Sequence, residues 1–276
     1  MGTKRLWQRI RTIWITVGLS ATLVFVLWCA TAYRATPVAN AAMKSDARVV
    51  VSRDSGFVRF TAASQKTKAP VGLLFFAGSL VDPVAYAPLA HAVAAAGYPV
   101  ILVSLPRRGA FGGADAPEVI SRAMGAVNED ERAAQWLVGG HSRGAVVALR
   151  LVSQLAEYGA TSVAGLLLVG TSHPRDVNLS GYKWPVTKIV GTRDGLASLE
   201  KVEVNRHLLP PTTRWVRIEG ANHSQFGWYG FQPGDRFATI SREAQHEQLI
   251  AAVIESLRLA GDRLGEPIGN PMAPRN

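Results

Sequence analysis

The chain has 276 residues, 48% of them hydrophobic and 18% charged, which excludes a disordered or fibrous protein and suits one sizeable α/β core. Its net charge is +10, but Lys4, Arg5, Arg9 and Arg11 carry part of that charge ahead of the fold. The remaining Lys and Arg are dispersed, without the aromatic-interleaved stripe of a nucleic-acid binder, so no nucleic acid is expected as partner. A single cysteine, Cys29, excludes an intrachain disulfide and a cysteine-based metal site.

Residues 1–12 read as a basic cytoplasmic segment. Ile13 to Tyr33 carries no charge, and at about 1.5 Å per residue it just crosses a hydrocarbon core of about 30 Å. The basic residues ahead of it keep the N-terminus in the cytoplasm and put the remainder outside. Residues 13–33 are therefore expected to be a transmembrane anchor, and residues 34–47 a flexible linker. The competing reading is a signal peptide cleaved at Ala39-Asn40-Ala41. The apolar stretch is longer than a usual signal core of roughly 7–15 residues, which favours the anchor. Trp28 is too bulky for the position before a lipidated cysteine.

From Arg48 the pattern is that of alternating strands and helices. RVVVSRDSGFVRFTA predicts an antiparallel hairpin turning at Asp54-Ser55-Gly56. VGLLFFAGS is a continuous apolar run, as in a strand buried on both faces. DPVAYAPLAHAVAAAGYP predicts a helix opened by Pro83 and ended by Gly97. PVILVSLP is the next buried strand, followed by a loop and a weakly periodic helix around Glu118 to Val127. WLVGGHSRGAVVALRLVSQLAEYG predicts strand, tight turn and helix, ended at Gly159. AGLLLVG, WPVTKIVGTRDG and TRWVRIEGANHSQFG are three further strands. REAQHEQLIAAVIESLRLAG is a closing amphipathic helix. The domain is expected over 48–264, with a flexible tail over 265–276. The alternation implies an α/β fold: a mainly parallel central sheet with helices on both faces and a short lid region. In such sheets function gathers beyond the C-terminal ends of the strands.

Three side chains fall there. Ser142 lies in Gly-His-Ser-Arg-Gly between a predicted strand and a predicted helix, the context a nucleophile elbow requires. Gly140 and Gly144 suit a turn with no room for side chains. The plain alternative is a serine N-cap in a glycine-rich turn. A serine hydroxyl needs a base, and the base needs a carboxylate to orient it. Asp194 in GTRDG and His223 in GANHS follow in the chain order Ser, acid, His, each just past an apolar strand. Asp176 is the alternative acid. For an oxyanion hole the expected backbone donors are Arg143, after the nucleophile, and Ser79 or Leu80 in the loop after the first buried parallel strand, Ser79 first. Among the other histidines, His141 reads as the filler of the elbow, His91 as packed or solvated, His207 as part of a connection, His246 as exposed on the last helix, and His173 as a pocket contact.

FFAGSLVDPVAYAPLA, GGHSRGA, GTRDG and IEGANHSQFGWYGFQPGDRFATISREAQ resemble the α/β-hydrolase fold-5 family, related to dienelactone-hydrolase-like serine hydrolases. The likeness runs from about Arg48 to Leu259, and Asn-His-x-Gln-Phe-Gly followed by Gly-Asp-x-x-Ala-Thr-Ile-Ser-Arg is its most specific part. The resemblance implies Ser142 as nucleophile, Asp194 as acid and His223 as base. It also implies a membrane-anchored or secreted bacterial hydrolase without metal or organic cofactor. The sequence departs from the family at Phe76-Ala77-Gly78-Ser79, where relatives carry Pro-Gly-Gly or His-Gly, and at Arg143, where Leu or Met is usual.

The expected function is hydrolysis of a small-molecule ester or thioester through an acyl-enzyme, outside the cytoplasm. Two alternatives stay open: an acyltransferase with the same triad, and a non-catalytic binding protein of the same fold. The short connection from Thr171 to Pro185 predicts an open pocket for a small or soluble substrate. Phe111, Gly112, Gly113, Phe226, Trp228 and Tyr229 are candidates to line it. Arg107, Arg108 and Arg143 would favour an acidic substrate. Oligomeric state is not legible.

Overall fold

The computed structural model of the chain describes residues 2–157 and 161–265. It begins with one long helix, α1 (Gly2–Ala32), which is apolar and long enough to cross a membrane and is not buried against the domain. The helix starts well before the predicted span 13–33. Residues 34–47, expected as a flexible linker, are instead packed onto the domain. A short helix α2 (Pro37–Ala41) is capped by the Thr36 side chain. Tyr33, Ala39 and Met43 are buried, Ala39 completely. The Thr36 N–H donates to the Trp228 carbonyl at 2.8 Å, and the Asp46 N–H to the Val49 carbonyl at 2.9 Å. Thr/Ala/Pro/Asn composition suggested a tether because it lacks periodicity; the groups that bury it lie far away in sequence.

The domain is one eight-stranded sheet in the order β1-β2-β4-β3-β5-β6-β7-β8. β1 (Val49–Asp54) and β2 (Phe57–Ala62) form the predicted hairpin, with Asp54 opposite Phe57 and Gly56 at a φ of +93°. β2 then pairs antiparallel with β4 (Val100–Val103). From there the sheet is parallel through β3 (Ala69–Phe76), β5 (Ala133–His141), β6 (Val163–Val169), β7 (Val186–Gly191) and β8 (Arg214–Ile218). Every residue of β6 and β7 is buried, as a sheet covered on both faces requires, and β7 takes Thr187 and Lys188 into the interior with it.

Strand alternation divides the core. Leu73 and Phe75 of β3 face one side, with Val93 of α3 (Ala87–Ala95) and Leu249 and Val253 of α7 (Arg242–Asp262). Leu74 and Phe76 face the other, with Ala123 of α4 (Pro117–Asn128) and Val147 and Leu151 of α5 (Arg143–Glu157). A short helix α6 (Leu199–Val204) leads into β8. The expected helix end at Gly159 and the tail from 266 onward lie outside the described residues.

Candidate active site

β5 ends at His141 and α5 begins at Arg143, so Ser142 alone makes the corner. Its φ is +53°, in the left-handed region that costs a non-glycine residue energy and persists only where surroundings enforce it. The surroundings here are close. The Ser142 N–H donates to the Val169 carbonyl of β6 at 2.9 Å. A Cβ on Gly144 would overlap the carbonyls of Phe76, at the end of β3, and Ala77, just past it, and one on Gly140 would overlap the Gly144 backbone. The two glycines thus let α5 start directly above the strand ends and lift Ser142 out of the sheet.

Asp194 and His223 follow β7 and β8, and each is 1% exposed. His223 Nδ1 and Asp194 Oδ2 are hydrogen-bonded at 2.9 Å. The other carboxylate oxygen, Oδ1, accepts the N–H groups of Leu196 at 2.9 Å and Ala197 at 2.6 Å. His223 Nε2 is buried and has no hydrogen-bond partner among the described residues. Ser142 and His223 line one cavity of about 200 Å³ together with Arg143, Val146, Thr171, His173, Arg175 and Leu196. Asp176, the alternative acid, is exposed, and the carboxylate that meets His223 is that of Asp194.

The backbone donors divide. Arg143 opens α5, where a first-turn N–H has no intrahelical acceptor. The Leu80 N–H is not free: it donates to the Arg108 carbonyl at 2.6 Å, which removes Leu80 as a donor in this arrangement. The Gly78 N–H donates to the Tyr86 hydroxyl at 3.1 Å. The Ser79 N–H takes no acceptor among the described residues.

Two supporting residues, His141 and Asp235, were missed in the sequence, and His246 was misplaced. His141 is not a neutral filler of the elbow. It is fully buried, its ring lies 4.4 Å from the His223 ring, and its Nδ1 meets the Tyr86 hydroxyl at 2.8 Å. The same hydroxyl accepts the Gly78 N–H, which ties His141 to the loop after β3. Burial, then the neighbouring His223, pushes the His141 pKa well below the ordinary value, so its imidazole stays neutral. It is a wall against His223 and not a second base. Asp235 binds both the loop of Asp194 and the loop of His223. Its Oδ1 accepts from Gly195 at 3.0 Å and from His223 at 3.2 Å, and its Oδ2 accepts the Ser224 N–H at 2.8 Å. The signal for it was the Gly-Asp of the most specific motif, to which spacing alone assigned no role. His246, expected on an exposed face, is buried beside Trp228, and burial pushes its pKa down to about 3.

The pocket candidates also need correcting. Phe226 and Tyr229 are buried in the core, Phe111 is almost fully exposed, and Trp228 lines a separate apolar groove with His246 and Ile250. His173 does line the cavity, and burial pushes its pKa down to about 4. Arg143 turns its guanidinium to Asp115 at 2.5 Å, and Arg108 turns to Asp82 at 3.0 Å. The unpredicted cation at the cavity is Arg175, bonded to Ser172 Oγ at 3.2 Å.

This sheet, with a strained serine at the β5–α5 corner and an Asp–His pair past the last two strands, defines a hydrolase-type α/β protein. A sequence profile of the alpha/beta hydrolase family matches residues 72–247, and the chain belongs to that family. Solved structures of similar fold include a fungal esterase of Rhizomucor miehei, at 14% identity and a TM-score of 0.62, covering 88% of this chain and 91% of that one. A dienelactone-hydrolase-like promiscuous phosphotriesterase from metagenomic libraries is 15% identical, with a TM-score of 0.52 over 76% of this chain and 97% of that one. An alpha-beta serine hydrolase homologue from Coxiella burnetii is 12% identical, with a TM-score of 0.53 over 78% and 99%. At these identities the likeness is one of fold. No curated protein matches the sequence.

Proposed function

We propose that the chain is a serine hydrolase that cleaves a small carboxylic ester or thioester through an acyl-enzyme on Ser142, with its domain held outside the cytoplasm by α1. The observation that carries this is the His223–Asp194 hydrogen bond at 2.9 Å, with the unpartnered His223 Nε2 in the cavity that Ser142 lines.

In this reading Ser142 Oγ attacks the substrate carbonyl carbon while His223 Nε2 takes its proton. Asp194 holds the proton on Nδ1, so that Nε2 is the acceptor, and stabilises the imidazolium that forms. The carbonyl oxygen becomes an oxyanion, and the N–H groups of Arg143 and Ser79 are its donors. His223 passes its proton to the departing alcohol or thiol, leaving the acyl group on Ser142. Water then attacks, His223 takes the water's proton, and the acid leaves as the proton returns to Ser142. A cavity of about 200 Å³ is smaller than the sites that enclose drug-sized ligands and suits an acyl group of a few carbons.

The test is labelling of the full chain, in detergent micelles, with a fluorophosphonate probe beside Ser142→Ala. Label on the wild type and none on the variant is the expected result. A folded wild type that takes no label refutes the reading and leaves the fold as a binding scaffold.

A further inference from the structure

We infer that Ala32–Thr36, at the foot of α1, is a clasp that positions the two halves of the site, an inference that rests on the hydrolase reading above. The candidate oxyanion donor Ser79 sits in the loop after β3, and the candidate base His223 sits in the loop after β8. These strands are four positions apart in the sheet order, with β5, β6 and β7 between them. The foot of α1 bonds to both loops. The Asp82 N–H, three residues after Ser79, donates to the Tyr33 carbonyl at 2.9 Å. The Gly230 N–H donates to the Ala32 carbonyl at 2.6 Å, and the Thr36 N–H to the Trp228 carbonyl at 2.8 Å. The direct link between the loops is the Trp228 N–H to the Ala85 carbonyl, at 2.8 Å.

Side chains make the same join. Tyr33 is 9% exposed, and its ring stacks on the fully buried Tyr229 with centroids 6.4 Å apart and planes 13° from parallel. A Cβ on Gly230 would stand 2.9 Å from the Ala32 carbonyl oxygen and 3.0 Å from its Cα, so only glycine lets the helix foot come this close. The clasp therefore sets the distance between oxyanion donor and base, and displacements of about 1 Å in such groups cost roughly a hundredfold in rate. Cleavage after Ala41 would remove these contacts, so the clasp assigns the segment ahead of Ala41 to the working enzyme.

The experiment measures kcat, KM and the fluorophosphonate labelling rate of the full chain in detergent micelles, alongside the thermal midpoint. Tyr33→Leu removes the ring stack but keeps apolar volume, and Gly230→Ala pushes the helix foot away without touching Tyr33. Tyr33→Phe restores the ring. Leu257→Ala, a buried truncation near the C-terminal end of α7 and outside the cavity lining, controls for loss of stability. The expected result is a fall of roughly ten- to a hundredfold in kcat and labelling rate for Tyr33→Leu and Gly230→Ala. KM should stay within about threefold for both, since the contact acts on the reacting geometry. Tyr33→Phe should match the wild type, and Leu257→Ala should lower the midpoint while keeping kcat. A labelled wild type whose Tyr33→Leu and Gly230→Ala variants react like Leu257→Ala overturns the clasp alone. An unlabelled wild type overturns the hydrolase reading and the clasp together.

Discussion

Asp194→Asn is the sharpest test of the acid's role, because the hydrogen bonds dictate how the new amide must lie. Oδ1 accepts two backbone N–H groups, from Leu196 at 2.9 Å and Ala197 at 2.6 Å. An asparagine keeps both bonds only with its carbonyl oxygen on that side. Turning the NH₂ there sets donor against donor and forfeits two bonds, at about 1–3 kcal/mol each. The NH₂ must therefore face His223 Nδ1, which becomes an acceptor and sends the imidazole proton to Nε2. That nitrogen can no longer take the Ser142 proton. Locking the wrong tautomer costs about 10⁴ in kcat in a triad of this type, or about 5.4 kcal/mol of transition-state stabilisation. Asp194→Ala leaves the same two N–H groups without an acceptor and is less stable by about 2–4 kcal/mol, yet its imidazole is free to choose its tautomer. The prediction is an inversion: the asparagine variant has the higher thermal midpoint and the lower kcat on a short-chain ester. An asparagine variant keeping more than a tenth of the activity, or out-performing the alanine one, refutes this account of Asp194.

Gly144→Ala would drive a Cβ into the Phe76 and Ala77 carbonyls; we expect a loss of about 3 kcal/mol or more, read as a lower denaturant midpoint together with loss of labelling. Asp235→Ala strips acceptors from Gly195, His223 and Ser224, so stability should drop by about 2–4 kcal/mol and kcat should fall with it, whereas a variant with wild-type kcat would unlink Asp235 from the pair. His246 is held neutral in the fold with a pKa of about 3, against about 6.5 when unfolded, so between those values the unfolded chain binds more protons and stability declines as pH falls. Between pH 7 and pH 5 this amounts to about 2 kcal/mol; chemical denaturation of His246→Leu at both pH values should show a pH dependence smaller by that amount, and an unchanged dependence would contradict the assignment.

The strand–helix alternation was readable because both faces of this sheet are covered, which makes the central strands β3, β4 and β6 near-continuous apolar runs. Ser142, Asp194 and His223 stood out for a related reason: each lies within a few residues of the C-terminal end of a strand, in the chain order Ser, acid, His. What sequence could not give was anything decided by the other side of a contact. His246 lies on a helix that alternates charged and apolar residues, and its burial depends on Trp228, which arrives from a loop. His141 carries no periodic signal, and its neighbourhood is made by Tyr86 and His223 from two other loops. The burial of Tyr33, Ala39 and Met43 is irregular in spacing, so a docked segment looked like a tether.

Charge shows the same dependence on partners and bears on what the site accepts. Arg107, Arg108 and Arg143 suggested attraction for an acidic substrate. In the fold, Asp115 takes the guanidinium of Arg143 at 2.5 Å and also pairs with Arg150, while Asp82 takes that of Arg108 at 3.0 Å. These arginines are spent on holding loops: Arg143 ties the start of α5 to the segment before α4, and Arg108 ties the strained loop after β4 to the oxyanion side. Arg175 remains at the cavity, bonded to Ser172 and facing the solvent. His173 beside it is kept neutral by burial, with a pKa of about 4. The positive charge at the cavity wall is thus that of Arg175, which meets only the neutral Ser172 hydroxyl, while Arg143 is paired with Asp115. The cavity's volume of about 200 Å³ limits the size of the group it admits.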